Sequence, residues 1–69
     1  MQIKAIHQFS PSCSPGDGVT NGMFFTRRLL RELGFVSEIY SDEIPPALIR
    51  EVRPLREFKP VENDLLFMH

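Results

Sequence analysis

The chain has 69 residues, 42% of them hydrophobic and 25% charged, with eight Lys and Arg against nine Asp and Glu and a net charge of −1. That composition belongs to a folded globular domain, excludes a disordered or fibrous chain, and lacks the basic surplus of a surface that binds nucleic acid. The one cysteine, Cys13, excludes an intramolecular disulfide, and a chain this short buries only about 60% of its unfolded surface, so a sizeable core is expected to need help from a metal or a partner.

No run of roughly 18 apolar residues exists to span a bilayer, and the start Met1-Gln2-Ile3-Lys4-Ala5-Ile6 lacks the apolar stretch of a signal peptide, so a cytoplasmic, reducing setting is expected. Ile3 to Phe9 is a short β-branched and aromatic run, which predicts a first strand. Ser10-Pro11-Ser12-Cys13-Ser14-Pro15-Gly16 carries two prolines and no apolar pattern, which predicts an irregular loop. From Asp17 the period changes. At about 100° per residue Val19, Gly22, Met23, Thr26, Leu30 and Leu33 share one stripe, with Phe25 and Leu29 beside it. Arg27, Arg28, Arg31 and Glu32 then face away, so the spacing predicts an amphipathic helix with a solvated arginine face. Phe24, about 140° from the centre of the stripe, is expected to stand exposed among those arginines. Asp17 is the leading N-cap, with Thr20 and Asn21 as alternatives, and Gly34 followed by Phe35 marks the end of the helix.

Val36 to Tyr40 alternates like a strand exposed on one face, and Ser41-Asp42-Glu43 ends it. Pro45 and Pro46 suit a first helical turn, so a short helix is expected from Pro46 to Val52, stopped before Pro54. Arg53 to Asn63 is expected to be mostly irregular. Asp64-Leu65-Leu66-Phe67-Met68 reads as a strand apolar on both sides, followed by His69. The predicted fold is α/β: a small parallel three-stranded Rossmann-like β-α-β-α-β unit with its helices on one face and the other face bare. Residues 1–69 would form a single partial domain, either a fragment of a larger α/β domain or a subunit that hides its sheet by self-association.

In an open parallel sheet ligands bind beyond the carboxyl ends of the strands, where loops and helix N-termini converge. His7 and Gln8, Ser41 to Glu43, and His69 are all expected on that rim. Gly16-Asp17-Gly18-Val19-Thr20-Asn21 begins like a dinucleotide fingerprint, but Asn21 stands where a third glycine belongs and Gly22 comes one place late. A small-residue turn into a helix explains it equally well, and Asp17 would repel a phosphate while suiting a helix cap or a sugar hydroxyl. His7, Cys13 and His69 show no close-spaced pair and lack a fourth ligand, so neither a metal nor another cofactor is expected. Each histidine reads either as a strand-end residue bonded to loop backbone or as a substrate contact, and Cys13 reads as a loop thiol.

Ile6-His7-Gln8-Phe9, Pro15-Gly16-Asp17-Gly18-Val19-Thr20-Asn21, Arg27-Arg28-Leu29-Leu30-Arg31-Glu32-Leu33-Gly34-Phe35, Ser37-Glu38-Ile39-Tyr40, Val52-Arg53-Pro54-Leu55 and Asp64-Leu65-Leu66-Phe67-Met68-His69 together resemble a known family opening. They look like the amino-terminal start of a bacterial glycosyltransferase with the two-domain GT-B architecture, of the retaining family-4 type. The resemblance implies transfer of a sugar from a nucleotide-sugar donor to an acceptor held at the strand ends of the amino-terminal domain. Gly16, Asp17, Asn21 and His69 match the family's positions at the inter-domain cleft and are the expected substrate-binding residues; no catalytic residue is assigned. The donor's phosphates would be held by a second domain, so these 69 residues are expected to be inactive alone, with donor and acceptor as partners of a full-length enzyme only. The alternative is a small non-catalytic α/β module that self-associates or binds a protein partner through its uncovered sheet.

Overall fold

The structure, a computed structural model, describes residues 2–69; Met1 lies outside the described residues. Its elements in chain order are strand β1 (Ala5–Ser12), helix α1 (Gly18–Glu32), strand β2 (Ile39–Glu43), a 3-10 turn (Pro46–Leu48), strand β3 (Arg53–Pro54), a second 3-10 turn (Leu55–Glu57) and strand β4 (Asp64–Met68). All pairings are parallel and the order is β3-β2-β1-β4. The class is therefore α/β, with four strands where three were expected and one α-helix where two were expected. The segment Pro46 to Val52 makes only a single 3-10 turn, and Arg53 and Pro54, expected to be irregular, pair with Tyr40 and Ser41 of β2.

Strand β1 is the centre of the sheet and runs through the Ser/Pro stretch as far as Ser12. Parity explains how it survives Pro11. Ile6 and Gln8 donate their backbone N–H groups to Val36 and Glu38, at 2.9 and 3.0 Å, while Phe9 accepts from the backbone of His69 at 2.9 Å. Even-numbered residues of β1 thus turn their backbone towards β2 and odd-numbered ones towards β4. Pro11 is odd, and β4 pairs no further along β1 than Phe9 opposite Met68, so the N–H that proline lacks has no partner to lose there. The second strand is displaced for a related reason: Val36 forms only an isolated bridge to Ala5, and continuous pairing begins at Gln8 opposite Ile39.

Helix α1 starts and stops where its cap residues dictate. Asp17 sits in extended geometry and its Oδ2 accepts from the Thr20 backbone N–H at 3.2 Å. At the other end Gly34 takes φ +98°, and the Gly34 and Phe35 N–H groups return to the Arg31 and Leu30 carbonyls, each at 3.0 Å. This is the paired closing motif that a left-handed glycine permits.

The face that α1 turns to the sheet differs from the expected one. Thr20, Met23 and Arg27 are buried, with Phe24 half-buried against the core of Cys13, Met23, Ile39, Leu48 and Val52. Val19, Phe25, Leu29 and Leu33 are exposed, so the helix is rotated by roughly a quarter turn from the apolar stripe. Chemistry accounts for the rotation. Arg27 sets its guanidinium over the Phe24 ring, with carbon Cζ 5.2 Å from the ring centroid, and donates from it to the backbone carbonyl and carboxylate of Glu51. Arg31 likewise donates to the Ser37 carbonyl and to Glu38. Of the three arginines expected to face solvent, Arg28 alone does so fully, pairing loosely with Glu32.

The face of the sheet away from α1 is not bare at its centre. Order β3-β2-β1-β4 requires the β3-to-β4 connection to run back across β2 and β1, and a right-handed crossover in that direction must cover the opposite face. Phe58 lies on it, edge-on to His7, Phe9 and Tyr40 with centroids 4.7 to 6.3 Å away. What stays uncovered is β4, where Leu65 to Met68 are all exposed.

Removing Arg27 loses a stacked, nearly buried side chain and leaves the Glu51 carbonyl without its donor. Arg27→Ala is expected to lower unfolding free energy by about 1–3 kcal/mol, whereas Arg28→Ala changes it by no more than about 0.5 kcal/mol. Urea denaturation of the two variants side by side measures the difference.

Candidate functional site

The strand order reverses between β1 and β4, since the chain leaves β1 towards β2 and β3 and returns on the other side. In open α/β sheets the crevice beyond the carboxyl ends at such a reversal is where ligands sit, because the loops flanking it diverge. Two segments follow the strands that flank it: the loop from Cys13 to Asp17 after β1, and His69 after β4.

Gly16 takes φ +78°, a conformation that side-chain-bearing residues rarely adopt, and so turns the loop into α1. Asp17 follows as the cap, its Oδ2 accepting from both the N–H and, at 3.3 Å, the hydroxyl of Thr20. The Thr20 hydroxyl in turn accepts from the Ser14 backbone at 3.1 Å, which pins the loop to the first helical turn. Asn21 donates its backbone N–H to the Asp17 carbonyl and is exposed on that same turn. The capping role weighed for Asp17 is thus real, and the residue is exposed at the rim as well.

His69 continues the ladder of β4 through its backbone bond to Phe9, and its ring Nε2 lies 2.9 Å from Oε1 of Gln8. Gln8 is buried to 1% exposure on the α1 side of the sheet, and its Nε2 donates to the Met23 carbonyl at 2.9 Å. A buried amide therefore links the middle of the helix to the strand-end histidine. In the sequence Gln8 is only a residue near the end of the first predicted strand; the signal for its role is a fully polar amide at an inward position of a strand, which cannot be buried without partners.

His7 does not share the rim. It lies in the middle of β1 on the far face, buried, with Nδ1 accepting the Glu38 backbone N–H at 3.1 Å and Nε2 3.8 Å from Asp64. It is packed edge-on against Tyr40, whose phenol burial pushes above its ordinary range, with Arg53 opposing. Cys13 lies in the loop after β1, as expected, and is buried there, directing its Sγ to the Glu43 carbonyl at 3.6 Å. His7, Cys13 and His69 are not brought together, and among the described residues no three His, Cys, Asp or Glu side chains are grouped to hold a metal ion.

Two concavities flank these elements. One, about 390 Å³, opens at the carboxyl edge between Ser12, Cys13, Ser14, Glu43, Ile44 and Pro45. The larger, about 570 Å³, lies at the other end of α1 and is walled by five arginines and three glutamates. Glu38 bridges Arg31 and Arg53, Glu51 holds Arg27, and Glu57 lies 3.7 Å from Arg53, so most of that charge is paired within the fold.

Among the described residues no helix is long and apolar enough to cross a membrane. Comparison with known proteins finds no matching family model, no matching curated protein and no matching solved structure.

Because Asp17 supplies the first-turn acceptor, Asp17→Ala is expected to cost about 1 kcal/mol of stability, with Asp17→Asn recovering most of it. Thermal unfolding followed by circular dichroism reads both.

Proposed function

We propose that this chain is the acceptor-side, amino-terminal part of a glycosyltransferase of the GT-B kind, which moves a sugar from a nucleotide-sugar to a hydroxyl-bearing acceptor. The observation that carries the reading is the placement of the Gly16-Asp17 loop after β1 and of His69 after β4, the two strands that flank the reversal, with His69 held by the buried Gln8. A carboxylate and an imidazole, both exposed on a framework pinned by Thr20 and Gln8, are groups that orient a sugar hydroxyl. Asn21, one helical turn on from Asp17, adds an amide to the same rim.

The same chemistry argues against donor binding by these residues. Asp17 caps α1 with negative charge where a phosphate would otherwise approach the N–H groups, and developing charge on a nucleotide leaving group needs cationic donors that the rim lacks. Titration calorimetry with UDP-glucose and GDP-mannose is expected to give no binding tighter than millimolar. In the two-domain enzyme that the reading requires, His69→Ala is expected to lower kcat/KM by about tenfold, on the order of 1.4 kcal/mol, while Arg28→Ala leaves it unchanged. Micromolar donor affinity in the 69 residues, or unaltered kinetics in the His69 variant, sinks the proposal.

A second reading is favoured by the outer edge of β4. By the same parity that governs β1, Leu66 and Met68 turn their backbone groups outward, and no charge, proline or bulge guards Leu65 to Met68. On this reading the chain self-associates edge to edge. Sedimentation velocity at micromolar concentration is expected to show a dimer or larger species that Leu66→Lys returns to monomer; a wild-type monomer removes the reading.

A further inference from the structure

We infer that Gln8 is a positioning residue that fixes the proton of His69 on Nε2 and thereby presents Nδ1 at the rim as an acceptor for a hydroxyl group. The argument starts from the Met23 carbonyl, which has oxygen lone pairs and no hydrogen to give. The Gln8 amide must face it with its NH₂, as the 2.9 Å contact to Nε2 records. That leaves Oε1 turned to His69, and an amide oxygen only accepts. The ring nitrogen 2.9 Å away is then the one that carries hydrogen, so a neutral His69 is the Nε2–H tautomer. Its Nδ1 has no hydrogen-bond partner among the described residues. Gln8 cannot turn over to offer the opposite pattern, because it is 1% exposed and turning would set its oxygen against the Met23 carbonyl.

The consequence for recognition is a polarity. His69 is not a hydrogen-bond donor to a ligand at this rim while neutral; its one N–H is spent on Gln8. Asp17, acceptor-only when ionised, shares that character. Both groups therefore select ligands that donate, such as the hydroxyls of a sugar or polyol, and disfavour ligands that present only acceptor oxygens there. This selection rests on the reading of the rim as the acceptor side, whereas the state of the imidazole rests on the Gln8 geometry alone.

Long-range ¹⁵N–¹H correlation spectra of the imidazoles, recorded at about pH 8 where a histidine of ordinary pKa is neutral, test the inference on the chain itself. His69 is expected to show a protonated Nε2 and an unprotonated Nδ1 with widely separated shifts. Gln8→Asn, one methylene too short to span both partners, is expected to draw the two shifts together towards those of an unconstrained ring, with the amide spectrum reporting that the fold is kept. A wild-type His69 protonated on Nδ1, or averaged between tautomers, overturns the assignment without need of any variant. So does a folded Gln8→Asn chain with unchanged His69 shifts. Addition of methyl α-glucoside is expected to move Nδ1 upfield and leave Nε2 in place; a response at Nε2, or at neither nitrogen, overturns the acceptor role of Nδ1. A fixed tautomer with no sugar response removes the hydroxyl selection and leaves the pairing with Gln8, and the nucleotide-sugar titrations report separately on the transferase.

Discussion

Parallel pairing of β1 with a neighbour on each side is the constraint from which the rest of the molecule follows. Parallel neighbours cannot be joined by a tight turn, so each connection has to pass over a face of the sheet. The two connections that step outward, from β1 to β2 and from β2 to β3, bring α1, Leu48 and Val52 onto one face, where they enclose Met23 and Ile39. The connection that returns from β3 to β4 has the opposite sense and brings Phe58 onto the other. One rule of handedness thus lays down both halves of the core and sets the reversal that the Asp17 loop and His69 flank.

Burial of polar groups is what orients the pieces. Gln8 and Arg27 each occupy a position where an apolar side chain would pack without specificity, and each has its donors matched to named oxygens. Gln8 ties α1 to β4 through β1, and Arg27 ties α1 to the segment that precedes β3. A helix gripped at these two points has little freedom to roll, even though its more apolar stripe faces solvent. The arginine and glutamate network at the lower edge of the sheet extends that grip: Arg31 and Arg53 share Glu38, which joins the helix to β3.

Much of this was legible in the residues and some was not, for physical reasons that differ from case to case. Local signals were reliable: the Asp17 cap, the Gly34 stop and the apolar β4 are each set by a few neighbouring side chains. The strand through Pro11 was hidden because the cost of a proline depends on which neighbour its missing N–H would face, a tertiary fact. The short strand Arg53–Pro54 was hidden because two residues carry no period. The roll of α1 was misjudged because hydrophobic periodicity counts Arg27 as polar, while its stem and stacked guanidinium behave as buried surface once Glu51 is in reach. At the rim, Asp17 and His69 were legible from their places at element ends, whereas the role of Gln8 depends on a contact between residues 61 positions apart.

The two margins of the sheet are unlike. β3 is two residues long and half of it is Pro54, so it offers a newcomer almost nothing to bond, whereas β4 offers a full, unguarded strand. A sheet with one blunt side and one open side has a direction of growth, and that direction is self-limiting. If two copies join through β4, both remaining margins are β3 and accretion stops at a pair. Fibres, which need a receptive margin left over after every addition, would then be closed off by a dipeptide at the far side of the molecule.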